Sequence, residues 1–139
     1  MILLDTSGLL AAIDASQTHH SQAAKALLAA EPPLLLSPFI LAELDYLLAA
    51  RVGIEAELAL LREVAADVYR LESFDAADIA TARDYVRQYS DVDLGLADAS
   101  IIVLANRYDV SDVLTLDERH FGTVRRDRRR RFRLLPGDV

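Results

Sequence analysis

The 139-residue chain has no cysteine, one lysine (Lys25) and three histidines. Without cysteine it can form neither a disulfide framework nor a thiolate zinc site, which fits a reducing cytoplasm. The histidines do not supply a zinc site either. His19 and His20 are adjacent, so on a helix they point about 100° apart, and His120 lies far along the chain with no HxxxH or HExxH around it. Long apolar runs are also missing. Although 53% of residues are hydrophobic, none of the runs approaches the roughly eighteen residues of a membrane span. The first, Met1 to Leu4, stops at Asp5 with no basic leader before it, so neither a signal peptide nor a membrane partner is expected. The length suits one domain over residues 1–139, and no linker or internal repeat is evident.

Acids are abundant. Twenty-two of them give a net charge of −7 and a pI near 4.8, a balance that argues against nucleic-acid binding until its distribution is considered. Between Arg125 and Arg133 there are seven arginines and one aspartate, a local +6 that leaves −13 on the rest. The chain therefore combines an acidic body with one basic patch.

Short apolar runs alternate with helix-forming stretches. Met1 to Leu4 and Leu34 to Leu36 read as strands buried on both faces, as do Val68 to Leu71, Val113 to Leu116 and Phe132 to Leu135. Thr6 and Ser7 can cap a short helix. His19 to Ala30 is helical, ending at Glu31-Pro32-Pro33. Ser37-Pro38 supplies a cap and a first-turn proline for a helix to about Val52. Further helices are expected over Ile54 to Asp67, Ala76 to Tyr89 and Gly95 to Arg107, with a loop from Ser90 to Asp93. The alternation predicts an α/β three-layer sandwich with a central, mostly parallel sheet flanked by helices.

Position within these elements separates four acids from the others. Asp5 and Asp117 each follow an apolar strand, and ligands of open α/β sheets bind outside the carboxyl ends of strands. On neighbouring strands about 4.8 Å apart, both could reach one cation. Capping of the following helix is the competing reading for each. Glu43 lies too deep in its helix for a capping box. Its same-face neighbours Phe39, Ile40, Tyr46 and Leu47 predict a carboxylate on an apolar stripe, with Asp45 on another face; a structural ion pair is the alternative. Asp98, near Leu94, Ile101 and Ile102, is expected on the core-facing side of a helix start, where it could also answer the helix dipole. Asp93 is a weaker candidate for a fifth ligand. Clustered carboxylates repel unless a divalent cation is present, and such hard oxygen ligands select Mg²⁺ or Mn²⁺. These ions activate water against a phosphodiester with no need of histidine.

With these residues in view, the sequence resembles PIN-domain ribonucleases, and in particular the VapC-type toxins of bacterial toxin–antitoxin pairs. The likeness rests on Ile2-Leu3-Leu4-Asp5-Thr6-Ser7, Ser37-Pro38 leading to Ala42-Glu43-Leu44, Leu96-Ala97-Asp98-Ala99, and Leu114-Thr115-Leu116-Asp117 followed by Phe121. No single motif is specific, but the ordered set spans nearly the whole chain. The resemblance implies a PIN-like fold, metal-site roles for Asp5, Glu43, Asp98 and Asp117, and a hydroxyl of Thr6, Ser7 or Thr115 nearby. It further implies Mg²⁺- or Mn²⁺-dependent RNA cleavage inhibiting translation, a homodimer, and inhibition by a VapB-like antitoxin. Substrates in the family include tRNA and the sarcin–ricin loop of rRNA.

The arginine run has no required counterpart in that pattern. Arg126, Arg128, Arg129, Arg130 and Arg131 are expected either as solvated surface or as a phosphate-gripping loop beside the carboxylates. No aromatic residue is interleaved from Arg125 to Arg131, so base readout is not expected there. Other readings fit less well. Haloacid dehalogenases and receiver domains also place an aspartate after the first strand, but both need a lysine after a later strand, and dehalogenases need DxD, where this chain has Ser7. A PIN nuclease of RNA processing and a binding module with a dead site are the remaining alternatives.

Overall fold

The computed structural model describes residues 1–138. Five strands form one sheet in the order β3-β2-β1-β4-β5, and every pairing among the described residues is parallel. They are β1 (Ile2–Leu4), β2 (Leu34–Leu36), β3 (Arg70–Leu71), β4 (Asp112–Leu114) and β5 (Arg133–Leu135). The central strands read as unbroken apolar runs because both faces are covered. Ile2, Leu3, Leu4, Leu35, Leu36, Val113 and Leu114 are all buried. At the edge, β3 is only two residues long because Val68 and Leu71 are exposed, leaving little apolar surface to fix a longer ladder.

Among the described residues seven α-helices flank the sheet: α1 (Thr6–Ile13), α2 (His20–Ala29), α3 (Pro38–Arg51), α4 (Ile54–Ala65), α5 (Ala76–Gln88), α6 (Leu96–Tyr108) and α7 (Glu118–Phe121). Helices α1 and α2 pack together, as do α3 with α4 and α5 with α6, while α1 and α6 also meet α3. The Ser37 hydroxyl caps α3 through the Phe39 N–H at 3.2 Å, with Pro38 at its first position. Helix α6 carries a continuous buried run, with every residue from Ala99 to Ala105 inside. Among the described residues, no helix is long and apolar enough to cross a membrane.

One glycine sets the spacing that the site needs. At Gly8 a Cβ would overlap the Leu114 carbonyl and stand 2.8 Å from the Thr115 amide nitrogen. Only a residue without a side chain lets the first turn of α1 lie this close to the end of β4.

Candidate metal centre

Strand register brings the first two carboxylates together. Leu3 pairs with Val113 and Leu4 with Leu114, so one step further Asp5 stands beside Thr115. The Asp5 N–H donates to the Leu114 carbonyl at 3.1 Å. Thr115 Oγ1 and Ser7 Oγ both donate to Asp5 Oδ2, at 2.6 and 2.8 Å. Each hydroxyl oxygen also accepts a backbone N–H: Ser7 from Leu116 at 3.0 Å, and Thr115 from Asp117 at 2.9 Å. These bonds fix the Asp5 rotamer and the path of residues 115–117 together. Asp5 is only 4% exposed and has no basic partner among the described residues. Burial pushes its carboxyl above the usual range against the pull of the Thr115, Ser7 and Thr6 hydrogen bonds, and the Asp117 charge adds to the rise.

Asp117 does not follow its strand directly, since β4 ends at Leu114. Three residues later in the turn, Asp117 caps α7, and Oδ1 accepts the His120 N–H at 3.0 Å. Capping and site membership coexist because the cap uses one oxygen only, while the second lies 2.6 Å from His120 Nδ1. The other ring nitrogen, Nε2, lies 2.7 Å from the Val92 carbonyl. Both ring nitrogens face acceptors, an arrangement that only a doubly protonated imidazole satisfies. Burial pulls the His120 pKa down, but the Asp117 bond and charge, the Val92 carbonyl and Asp98 together carry it above 6.5.

Asp98, in the first turn of α6, is half-buried at the edge of the helix, while the core-facing positions belong to Ala99, Ile101 and Ile102. Its pKa is pushed up to about 7, first by burial, then by the Asp5 charge; His120 opposes the rise, and Asp117 and Glu43 add to it. Ligand atoms of Asp98, Asp117 and His120 all lie within 4.8 Å of one another. The sequence pattern excludes His120 only from a histidine zinc site and does not point to its place beside the carboxylates. The spacing that could have found it is Asp117-x-x-His120 on one turn of a helix that the apolar pattern was too short to reveal.

Glu43 reaches the same place by a different route from that expected. The buried stripe of α3 is Ile40, Leu44 and Leu48; Glu43 is exposed, as is Tyr46 at 71%. An i, i+4, i+8 stripe leaves position 43 at its margin, where the carboxylate forms part of the rim rather than the buried wall. Asp5, Thr6, Ser7, Glu43, Asp98 and Asp117 line one open cavity of about 380 Å³, with Gln17 and Arg51 at its border. Asp45 and Asp93 are not among its lining residues. The Asp45 carboxyl instead neighbours Glu57 of α4 and raises the Glu57 pKa; Asp93 is exposed in the turn before α6, 4.0 Å from Arg119.

The PIN-domain family model matches residues 2–127. The chain belongs to the PIN-domain family. Over 135 residues it is 43% identical to ribonuclease VapC26 of Mycobacterium tuberculosis, covering 97% of this chain and 100% of that protein. Among solved structures, it is similar to VapC20 of M. tuberculosis, a sarcin–ricin-loop-cleaving toxin, with a TM-score of 0.78 at 22% identity over 84% of this chain and 90% of that one. A second similar structure is FitAcB from Neisseria gonorrhoeae, with a TM-score of 0.62 at 23% identity over 88% and 91%. These two likenesses concern the fold alone. The α/β fold with a mostly parallel sheet expected from the strand and helix alternation, and the PIN type implied by the resemblance, are present, the sheet being parallel throughout the described residues.

In this PIN domain the arginine run, expected either as solvated surface or as a phosphate-gripping loop, divides into distinct environments. Arg126 is buried, with its guanidinium donating to Ser111 Oγ at 2.9 Å and paired with Asp109 and Asp127. It anchors the loop from inside and has no face left for RNA. Arg130 shares the Asp109 carboxylate at 2.8 Å. Arg125 turns back onto the carbonyls of Gly122, Thr123 and Val124. Arg128, Arg129 and Arg131 are exposed.

Proposed function

We propose that this PIN domain is a metal-dependent endoribonuclease, the toxin of a VapBC-type pair, which acts in the cytoplasm and inhibits translation by hydrolysing RNA. The observation that carries the reading is the convergence of Asp5, Glu43, Asp98 and Asp117 on one cavity at the carboxyl ends of β1 and β4. The substrate class follows the 43% identical ribonuclease.

The donor set fits a hard divalent cation such as Mg²⁺, with Mn²⁺ as a substitute. Carboxylates crowd together with raised Asp5 and Asp98 pKa values, and Thr6 Oγ1 is buried beside them without a hydrogen-bond partner. Asp5, Asp98 and Asp117 would hold the ion, with Glu43 contributing from the rim. When bound, such an ion lowers the pKa of water and stabilises charge on a phosphodiester. The chain's own groups prepare that chemistry: Ser7 and Thr115 hold Asp5 in one orientation, and His120 does the same for Asp117.

RNA, either tRNA or rRNA, is the substrate in this reading, held by the exposed arginines against the acidic cavity. A structured rRNA element is favoured by analogy with the sarcin–ricin-loop-cleaving toxin. A VapB-like antitoxin and a second copy of the chain are the protein partners. Exposed Tyr46, Ile54, Leu58 and Leu61 on α3 and α4 suit such contacts. The test is cleavage of a labelled RNA by the wild type and Asp5→Asn in Mn²⁺, and by the wild type in EDTA. Cutting by the wild type in Mn²⁺ alone is expected; cutting that survives EDTA, or is undiminished in Asp5→Asn, overturns the mechanism.

A further inference from the structure

A second cavity, of about 460 Å³, opens between the end of α5 and the arginine loop, with Tyr85, Tyr89, Arg128 and Arg129 among its lining residues. The sequence separates these aromatic and basic residues by some forty positions, whereas the fold gathers them around one cavity. Tyr85 and Tyr89 are one helical turn apart, and both hydroxyls are held. Asn106 donates to Tyr85 Oη at 2.7 Å, and the Arg125 N–H donates to Tyr89 Oη at 3.1 Å. Asn106 also accepts the Asp127 N–H at 2.8 Å, tying the tyrosine wall to the loop.

The loop is built to present its tip. Arg126 and Arg130 both pair with Asp109, and the Arg126 N–H closes on the Arg130 carbonyl at 3.1 Å. Between these anchors Arg128 and Arg129 adopt positive φ, 56° and 60°, a conformation uncommon for side-chain-bearing residues and held here by the closed turn. Among the described residues neither guanidinium has an ion pair or hydrogen bond, so two adjacent exposed cations border the cavity that the two tyrosines line.

We propose that this cavity is a nucleotide subsite, in which a tyrosine ring stacks on an unpaired RNA base while Arg128 and Arg129 hold the flanking phosphates. The chemistry is that of single-strand recognition, aromatic stacking combined with guanidinium contacts to phosphate. Against the chain's −7 charge, a cationic loop tip sharing a cavity with two aromatic rings favours a polyanion with flat bases, the Asp127 carboxylate on the same lining being paired with Arg126. The position is right for a substrate that also enters the acidic cavity. Tyr89 precedes by three residues Val92, whose carbonyl meets His120, and Arg125 follows His120 by five, a span of at most about 18 Å, or a few nucleotides. The inference rests on the ribonuclease reading and extends it to where the RNA beside the cut is held.

The test measures binding of a fluorescently labelled RNA hairpin with an unpaired loop by anisotropy in EDTA, where no cleavage occurs, over a range of salt. Arg128→Gly with Arg129→Gly removes both charges while glycine keeps the positive φ. Affinity should fall about tenfold, and the slope of log affinity against log salt should lose about 1.4, from two single-strand phosphate contacts. Tyr85→Leu with Tyr89→Leu should weaken binding at least about fivefold with the slope unchanged, whereas Tyr85→Phe with Tyr89→Phe should stay within about twofold of wild type. An unaltered slope in the glycine variant, or wild-type affinity in the leucine variant, overturns the subsite. Cleavage by the wild type in Mn²⁺ is scored separately, so a failed subsite leaves the nuclease reading standing and a wild type that does not cut fails that reading alone.

Discussion

His120 engages both oxygens of Asp117, its backbone N–H reaching Oδ1 at 3.0 Å and its Nδ1 facing Oδ2 at 2.6 Å. The same ring is tied to the Val92 carbonyl at 2.7 Å, so one side chain links the end of β4 to the turn that leads into Asp98. Orienting partners of this kind are worth roughly 10–100-fold in metal affinity or activity. His120→Ala is therefore expected to weaken Mn²⁺ binding by about tenfold in calorimetry, without unfolding the protein. Tighter binding in the variant would mean that the imidazolium competes with the cation instead of orienting its ligand.

Gly8 offers a test of how closely α1 must approach β4. Because a Cβ there would collide with the Leu114 backbone rather than with a flexible side chain, Gly8→Ala cannot be accommodated by rotamer change. The first turn of α1 has to move, and with it Ser7 and its bond to Asp5. Overpacking of this kind costs about 1–3 kcal/mol. Denaturant unfolding should show that loss, and RNA cleavage should fall further than stability alone accounts for. Wild-type cleavage by a destabilised Gly8→Ala would separate the helix position from the site.

Much of this arrangement is legible in the sequence, for reasons that differ by residue. The strands carrying Asp5 and leading to Asp117 are buried on both faces, so their apolar runs announce them. Short elements are less visible: α7 has four residues, too few for periodicity, and His120 went unrecognised with it. Glu43 lines the site, but helical phase alone assigned it to the wrong surface, because a fourfold stripe of Ile40, Leu44 and Leu48 drifts around the helix. The arginines show the limit most clearly. Nothing in their spacing separates the buried Arg126 from the exposed Arg128, since the difference is made by Asp109 and Ser111 on a distant segment.

The raised carboxyl of Asp98 predicts how the metal-free protein responds to pH. An aspartate that titrates near 3.8 in the unfolded chain and at about 7 in the folded one contributes stability that is fully present below 3.8. That contribution is lost as pH rises through 7. Asp5 and His120, both raised, act in the same direction. The lowered carboxyls of Asp14, Asp78 and Asp109 change stability only below their ordinary value. In EDTA, thermal stability should therefore fall between about pH 5 and pH 8 through these groups, and Mn²⁺ should restore it. Asp98→Asn should stabilise the metal-free protein by about 2 kcal/mol at pH 8, roughly half the value of the full shift at ~1.4 kcal/mol per pKa unit, since 22% of the side chain meets water. The same variant should lose cleavage. Equal stability of Asp98→Asn and wild type across this pH range would show that the carboxylates are not mutually strained.

Arg126 and Arg128, two positions apart, should fail in opposite ways. The Arg126 side chain is 2% exposed and pairs with Asp109 and Asp127, so Arg126→Ala removes charged hydrogen bonds and leaves a void under the loop. Both aspartates remain hydrated, at 72% and 44% exposure, so no buried charge is stranded. The cost should be about 2 kcal/mol, in the range of hydrogen bonds to charged groups, rather than the 3–5 kcal/mol or so of a fully buried broken pair. Arg128→Gly, at an exposed position of positive φ, should leave stability within about 0.5 kcal/mol of wild type or raise it. Chemical denaturation of both variants, paired with RNA binding in EDTA, separates the roles. Arg126→Ala should lose stability while keeping the salt slope of binding, because its guanidinium does not reach phosphate. A flattened slope in Arg126→Ala with unchanged stability would move that residue from scaffold to RNA contact.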